Sequence, residues 1–294
     1  HLQDVTVMTP VFDHDGSDIL FYVASRGHHA EIGGKTPGSM PPDSRHIDEE
    51  GVLIDNFQLV DQGRLREKEL EELFTTAAYP TRNFQHNLGD LKAQIAANEK
   101  GVQELRKMVG HFGLDVVLAY MKHVQDNAEE TVRRVIQNLS DGEFEYEMDF
   151  GAKVKVAITV HPETRSATVD FTGTSPQQDN NFNITHAVAI AAVLYTFRLM
   201  VDDDIPLNAG CLKPLNIIVP DDCMLRPKYP AAVVAGNVET SQAITDTILG
   251  ALKLMGASQG TMNNFTFGNA NYQYYETICG GAGAGSDFGG TDAI

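Results

Sequence analysis

Residues 5 to 12, Val-Thr-Val-Met-Thr-Pro-Val-Phe, and residues 19 to 25, Ile-Leu-Phe-Tyr-Val-Ala-Ser, are two β-prone runs separated only by Asp13-His-Asp-Gly-Ser-Asp18. A chain with this pattern folds back on itself as a hairpin, because the six intervening residues supply turn chemistry and leave no room for another element. If the turn centres on Asp15-Gly16, a dipeptide favoured in type I′ turns, the numbers of cross-strand partners sum to about 31. Asp4 then faces Gly27 and His1 faces Ala30, so His1, Asp4, His28 and His29 share one end of the ribbon. Imidazoles and a carboxylate gathered this way form the ligand set of zinc, manganese or iron, with a position left for water. The same histidines could equally be solvated or hydrogen-bonded loop residues.

The rest of the sequence surrounds this hairpin with both periodicities. Gly33 to Asp43 is dense in glycine and proline and reads as an irregular loop, either functional or a simple connector. A strand is expected over 51–60 and a helix over 66–77. Asn87 can cap a helix with apolar positions at Leu88, Leu91, Ile95, Val102, Leu105 and Met108, stopping near Gly113. Leu114 to Leu139 repeats the pattern, and the short link implies an antiparallel helical hairpin. His111 and His123 on these helices read as surface or cap residues.

Glu143 to Phe150 alternates acid with apolar at a period of two. With 153–160 and 165–171 it predicts an antiparallel meander whose acids at 143, 145, 147 and 149 form a solvated face. Residues 184–201 read as a buried helix, 215–219 and 231–234 as strands, and 242–255 as a further helix with Asn237, Thr240 and Ser241 as cap candidates. The glycine-rich Gly280 to Gly285 fits neither GxGxxG nor a P-loop and reads as an anion nest, a close-packing segment or a linker. The expected class is α+β: an antiparallel β-hairpin and meander with a helical hairpin and further buried helices. Three regions are expected within one unit: 1–82, β-rich with the candidate metal site; 83–139, the helical hairpin; and 140–294, mixed α+β.

Composition narrows the function. Lys plus Arg number 22 against 40 Asp plus Glu, a net charge of -18, which repels phosphate backbones and anionic lipid and argues against nucleic-acid or membrane partners. The apolar stretch at 184–201 carries His186 and Arg198 and is not a membrane span. Cys211, Cys223 and Cys279 show no CxxC spacing, so a reducing cytoplasm is expected. The chain opens without methionine inside the His-Leu-Gln-Asp element, and is expected to be a piece of something longer.

Several motifs occur together in order: His1-Leu-Gln-Asp4, Tyr22 to Gly34, Pro37-Gly-Ser-Met-Pro-Pro42, Asp90-Leu-Lys-Ala-Gln94, Asp204 to Asn208, Gly236 to Gln242, Gln259 to Gly268 and Tyr274-Tyr-Glu-Thr277. Over its whole length the chain resembles the hydantoinase B/oxoprolinase family. The resemblance implies a hydrolase component for cyclic amides, closest in type to 5-oxoprolinase, which converts 5-oxoproline, ATP and water to glutamate, ADP and phosphate. It implies a hydantoinase A-like ATPase partner, which binds ATP and phosphorylates the substrate carbonyl oxygen. It also implies a divalent metal, manganese or zinc, on the B component, and an oligomeric assembly.

Carried onto this chain, the family's ligands imply His1, Asp4 and His28 or His29, with a further aspartate expected upstream of residue 1. Gln3 stands where the family usually has proline. Arg26 is implied to place an anionic substrate or phosphate group, and Asn263, Asn264 and Glu276 are further site candidates beside glycines. Two other readings accompany this one: a subunit of an acetone-type carboxylase, and a non-catalytic scaffold for the A component.

Overall fold

The computed structural model describes residues 1–293. The chain divides into two compact units, one of residues 1–41, 47–120 and 266–275, the other of residues 42–46, 121–265 and 276–294. The α+β class holds.

In the first unit, β1 (Asp4–Phe12) and β2 (Ile19–His28) form the expected hairpin. Its turn is not the type I′ dipeptide. Gly16 has φ of +74°, but the loop is closed by the Asp13 N–H donating to the Asp18 carbonyl at 2.9 Å, and the Asp13 carboxylate accepts from the Ser17 and Asp18 N–H groups at 2.9 and 3.3 Å. An aspartate side chain standing in for backbone makes a longer loop stable. The register differs accordingly: Phe12 pairs with Ile19 but Val11 with Phe21, leaving Leu20 as the extra residue of a bulge, and Asp4 faces His28 rather than Gly27.

The segment expected as a strand over 51–60 pairs only at its end, where β3 (Val60–Asp61) meets β4 (Arg64–Leu65). The preceding residues run without a ladder, anchored where the Val52 N–H donates to the Ile32 carbonyl at 2.8 Å. α1 (Glu67–Thr75) and α2 (Phe84–Phe112) follow. Asn83, not Asn87, caps α2, accepting from the His86 N–H at 3.3 Å. Asn87 lies one turn inside the helix and is buried. The loop after β2 depends on Gly33, at φ +88°, where a Cβ would stand 2.3 Å from the Tyr79 carbonyl oxygen. Leu70 and Phe74 of α1, Leu88 and Leu91 of α2, Val5 of β1 and Ile32 share one core.

α3 (Leu114–Ile136) begins in the first unit, with Val117 buried beside Val11, Phe21 and Val102, and continues in the second, where Ala128, Val132 and Ile136 are fully buried. The stripes of α2 and α3 therefore share a core only where Val102 meets the start of α3, and the rest of the α3 stripe serves the core of the second unit. In the second unit β5 (Gly142–Glu147), β6 (Lys153–His161) and β7 (Ser166–Asp170) form the meander, and β8 (Leu215–Ile218) adds to β7 in parallel. The acids of β5 are solvated as expected: Lys153 bonds Glu145 at 2.6 Å across the ladder.

α4 (His186–Leu199) and α5 (Thr240–Ala251) pack Val193, Phe197, Ile244 and Ile248 against Val154, Val156 and Val169 of the sheet. The run 231–234 is not a strand. Ala231 makes one isolated bridge with His46, after which the chain turns into a 3-10 segment. Thr240 and Ser241 do not cap α5, since their hydroxyls donate to the carbonyls of Phe182 and Asn237. β9 (Asn264–Gly268) pairs with β10 (Gln273–Thr277), and β11 (Gly281–Ala282) with β12 (Thr291–Asp292), so the glycine-rich run is partly paired chain. Among the described residues no helix is long and apolar enough to cross a membrane.

Ile244 is fully buried, whereas Leu207 is 61% exposed. Ile244→Ala is expected to lower the unfolding free energy by about 2–5 kcal/mol and Leu207→Ala by less than about 0.5 kcal/mol, read from urea denaturation midpoints.

Candidate metal centre

Strand pairing brings Asp4 and His28 opposite one another, and the tight turn at the chain's start, where the Asp4 N–H donates to the His1 carbonyl at 3.2 Å, folds His1 back onto the same carboxylate. Each oxygen of Asp4 takes one imidazole: Oδ2 lies 3.3 Å from His1 Nδ1, and Oδ1 lies 3.2 Å from His28 Nδ1. One ligand atom from each of the three falls within 4.8 Å of the others. The two imidazole rings are 5.1 Å apart, and the far side of His28 meets Tyr275 at 5.4 Å. Burial of Asp4 opposes its ionisation, but the His28 hydrogen bond and nearby positive charge, including Arg26, outweigh it and hold the carboxyl below its ordinary range.

His29 points to the other face of the ribbon, as the alternation of a strand requires. It is fully buried. The Asn87 amide nitrogen lies 3.1 Å from His29 Nδ1, and the Gln94 amide oxygen lies 3.3 Å from Nε2. The orientation of both amides is fixed by carbonyls that can only accept: Asn87 donates to the Glu31 carbonyl at 2.6 Å, and Gln94 to those of Val5 and Ser25 at 2.9 and 3.1 Å. His29 therefore accepts at Nδ1 and donates from Nε2, with both ring nitrogens used. Asp90 is farther, at 3.9 Å from Nδ1.

Gln3 is also buried, and its amide donates to the Gly38 carbonyl at 2.8 Å and the His29 carbonyl at 3.2 Å. It binds the glycine-rich loop to the hairpin, a task that proline, lacking this side chain, cannot do. Neither Gln3 nor Gln94 stands out in the sequence as functional. Tyr275 belongs to the Tyr274-Tyr-Glu-Thr277 motif, but nothing in its spacing indicates the tilted contact with His28.

Arg26 sits opposite Thr6 on the face that carries Asp4 and His28, its Nε donating to Thr6 Oγ1 at 3.0 Å. Asn263, Asn264 and Glu276 belong to the second unit. Asn263 has φ of +55°, with its N–H donating to Thr261 Oγ1 at 3.0 Å and its carbonyl accepting from the Ile278 N–H at 3.1 Å. Asn264 is half-buried at the start of β9, and Glu276 is exposed on β10.

A cavity of about 480 Å³ is lined by His1 and Asp4 of the cluster together with Thr6, Leu53, Ile54 and Phe57. The second unit holds a cavity of about 1140 Å³ lined in part by Asp246. Burial pushes that carboxyl above its ordinary range, but none of the site residues expected from the sequence lines this cavity.

A family model described as Hydantoinase B/oxoprolinase matches residues 1–294. The 5-oxoprolinase of Dictyostelium discoideum is 45% identical over 304 residues, covering all of this chain and 24% of that protein. The chain thus spans about a quarter of the length of that relative. Two solved structures share the fold. The ATP-dependent caprolactamase from Pseudomonas jessenii superposes with a TM-score of 0.81 at 22% identity, over all of this chain and 53% of that one. A nucleotide-free acetone carboxylase gives a TM-score of 0.80 at 14% identity, over 97% of this chain and 42% of that one.

Gln94→Leu removes the partners of His29 and of two backbone carbonyls at once. A loss of about 1–3 kcal/mol is expected in chemical denaturation, with altered nitrogen shifts of the His29 ring in NMR spectra. Unchanged His29 resonances would refute the assigned tautomer.

Proposed function

The chain belongs to the hydantoinase B/oxoprolinase family, and from that premise we propose that it is the B-type component of an ATP-dependent cyclic-amide hydrolase, 5-oxoprolinase-like in substrate. The observation that carries the reading is the cluster of His1, Asp4 and His28 beside a cavity large enough for a small ring. Two imidazoles and one carboxylate, their ligand atoms within 4.8 Å of one another, fit a divalent cation such as manganese or zinc. We assign His1, Asp4 and His28 as its ligands. His29, with both ring nitrogens committed to the fold, holds the ribbon end in place instead. When bound, such an ion lowers the pKa of water and polarises a carbonyl or phosphoryl oxygen.

The protein groups have separable tasks. Asp4 stays ionised at neutral pH and its hydrogen bond orients the His28 imidazole, with His1 Nδ1 3.3 Å from its other oxygen and the Tyr275 ring packed at a tilt against His28. Arg26, on the same face, offers its guanidinium to an anionic group: the carboxylate of 5-oxoproline or the phosphoryl group installed on the ring oxygen. That phosphorylation belongs to a hydantoinase A-like ATPase partner, in a separate subunit or elsewhere in a longer chain. It activates the ring carbon: one water adds there, the C–N bond breaks with the ring nitrogen leaving as an amine, and a second water releases phosphate from the acyl phosphate that results. Asn263, Asn264 and Glu276 enter the proposal through their motifs alone. The free thiols of Cys211, Cys223 and Cys279 suit a reducing compartment, and we place the protein in the cytoplasm. A carboxylase subunit is the second reading, favoured by the acetone carboxylase fold likeness.

In the complete protein assembled with its ATPase partner, Asp4→Ala is expected to abolish stoichiometric metal, measured by elemental analysis, and to lower ATP-dependent 5-oxoproline hydrolysis by more than about a hundredfold. Full activity in that variant would overturn the site. Arg26→Met is expected to raise KM for 5-oxoproline about ten- to hundredfold while leaving KM for 2-pyrrolidinone, which lacks the carboxylate, nearly unchanged. Equal losses on both rings would assign Arg26 to the phosphoryl group in place of the carboxylate, and an unchanged KM on both would remove it from the anion-binding role.

A further inference from the structure

The unpaired segment after Gly51 has an unusual setting. It lacks a ladder, yet its apolar side chains Leu53, Ile54 and Phe57 line the same cavity as His1, Asp4 and Thr6. The segment is braced from both ends. The Val52 N–H donates to the Ile32 carbonyl at 2.8 Å. At the other end the Arg66 guanidinium lies 5.0 Å from the centre of the Phe57 ring and donates to the Gln58 carbonyl at 3.1 Å. This wall is therefore positioned by contacts that a connector would not need.

Two polar side chains that line the cavity already have one partner each. The Asn56 amide donates to Asp55 Oδ1 at 2.9 Å, and Thr6 Oγ1 accepts from Arg26 at 3.0 Å. His1 and Asp4 belong to the ligand cluster. A ring seated here with its reacting amide toward His1 and Asp4 presents its opposite edge to Leu53, Ile54 and Phe57. A methylene edge packs against these side chains. An edge that carries a second carbonyl and N–H, as a hydantoin does, gains no hydrogen bond from these three side chains where they displace its water.

We propose that Leu53, Ile54 and Phe57 are the specificity-determining wall of the site, reading the ring edge opposite the scissile amide and selecting lactams over hydantoins. This rests on the cyclic-amide hydrolase reading and deepens it. An unpaired buried polar group corresponds to a discrimination of about ten- to a thousandfold in kcat/KM.

The test uses the complete protein with its ATPase partner, ATP and two uncharged five-membered rings, 2-pyrrolidinone and hydantoin. The wild type is expected to favour 2-pyrrolidinone by about tenfold or more in kcat/KM. Leu53→Asn and Ile54→Asn place a hydrogen-bonding amide on the wall, and each is expected to shift that ratio toward hydantoin by about tenfold, with metal content unchanged. Leu53 is 38% exposed, so its replacement leaves the core intact. A wild type that prefers hydantoin, or a ratio unmoved in both variants, overturns the inference while leaving the hydrolase reading in place. Loss of metal in both variants also overturns it, because the segment would then support the ligand cluster and not the substrate. Turnover of neither ring by the wild type, with 5-oxoproline also refused, sinks the hydrolase reading itself and the inference with it.

Discussion

The candidate centre depends on a row of carboxamides along one side of α2. A two-stranded hairpin alone is marginal in water, and this one carries two of the three clustered side chains, Asp4 and His28, at its open end. Asn87, Gln94 and Asn98 fasten it: Gln94 donates to carbonyls of both strands, Asn98 donates to the Val7 carbonyl at 2.9 Å, and Asn87 with Gln94 grips His29. These amides are buried, so each bond missing from this array exposes no group to water that could replace it. Rigidity at the hairpin end thus comes from polar complementarity, while Leu88 and Leu91 of the same helix supply the apolar contact.

Much of this was legible in the sequence because it obeys a period. The two long helices and the meander follow from repeats of 3.6 or two, the hairpin from β-prone runs flanking turn residues, and α4 from an unbroken apolar run. What failed was tertiary choice. The stretch 51–60 has strand composition but no neighbour with which to pair, and 231–234 is apolar because it is buried as irregular chain, not because it joins a sheet. The parallel addition of β8 to β7 joins elements far apart in sequence, which no local pattern encodes. Asn87 looked like a cap because capping and buried amide clamping use the same residue types, and only position relative to His29 separates them.

The site shows the same division. His1, Asp4 and the His28-His29 pair could be nominated from residue type and hairpin geometry, but the choice of His28 over His29 could not, because the expected register paired Asp4 with Gly27 and so put His29 on its face. Gln3, Gln94 and Tyr275 could not, since an amide or a phenol has many ordinary uses, and their importance lies in which carbonyl or ring they meet. The candidate residues were readable before the amides and the ring that surround them.

The bulge at Leu20 gains meaning in this light. Adjacent residues of a strand face opposite ways, so a shift of one position in pairing exchanges every side chain between faces. Without the extra residue the partner numbers would fall by one, and His29 would share the face of Asp4 while His28 turned toward α2. A single surplus residue beside the turn, at the far end of the ribbon, therefore works as a parity selector: it decides which of two chemically identical neighbours faces the carboxylate and which becomes part of the scaffold.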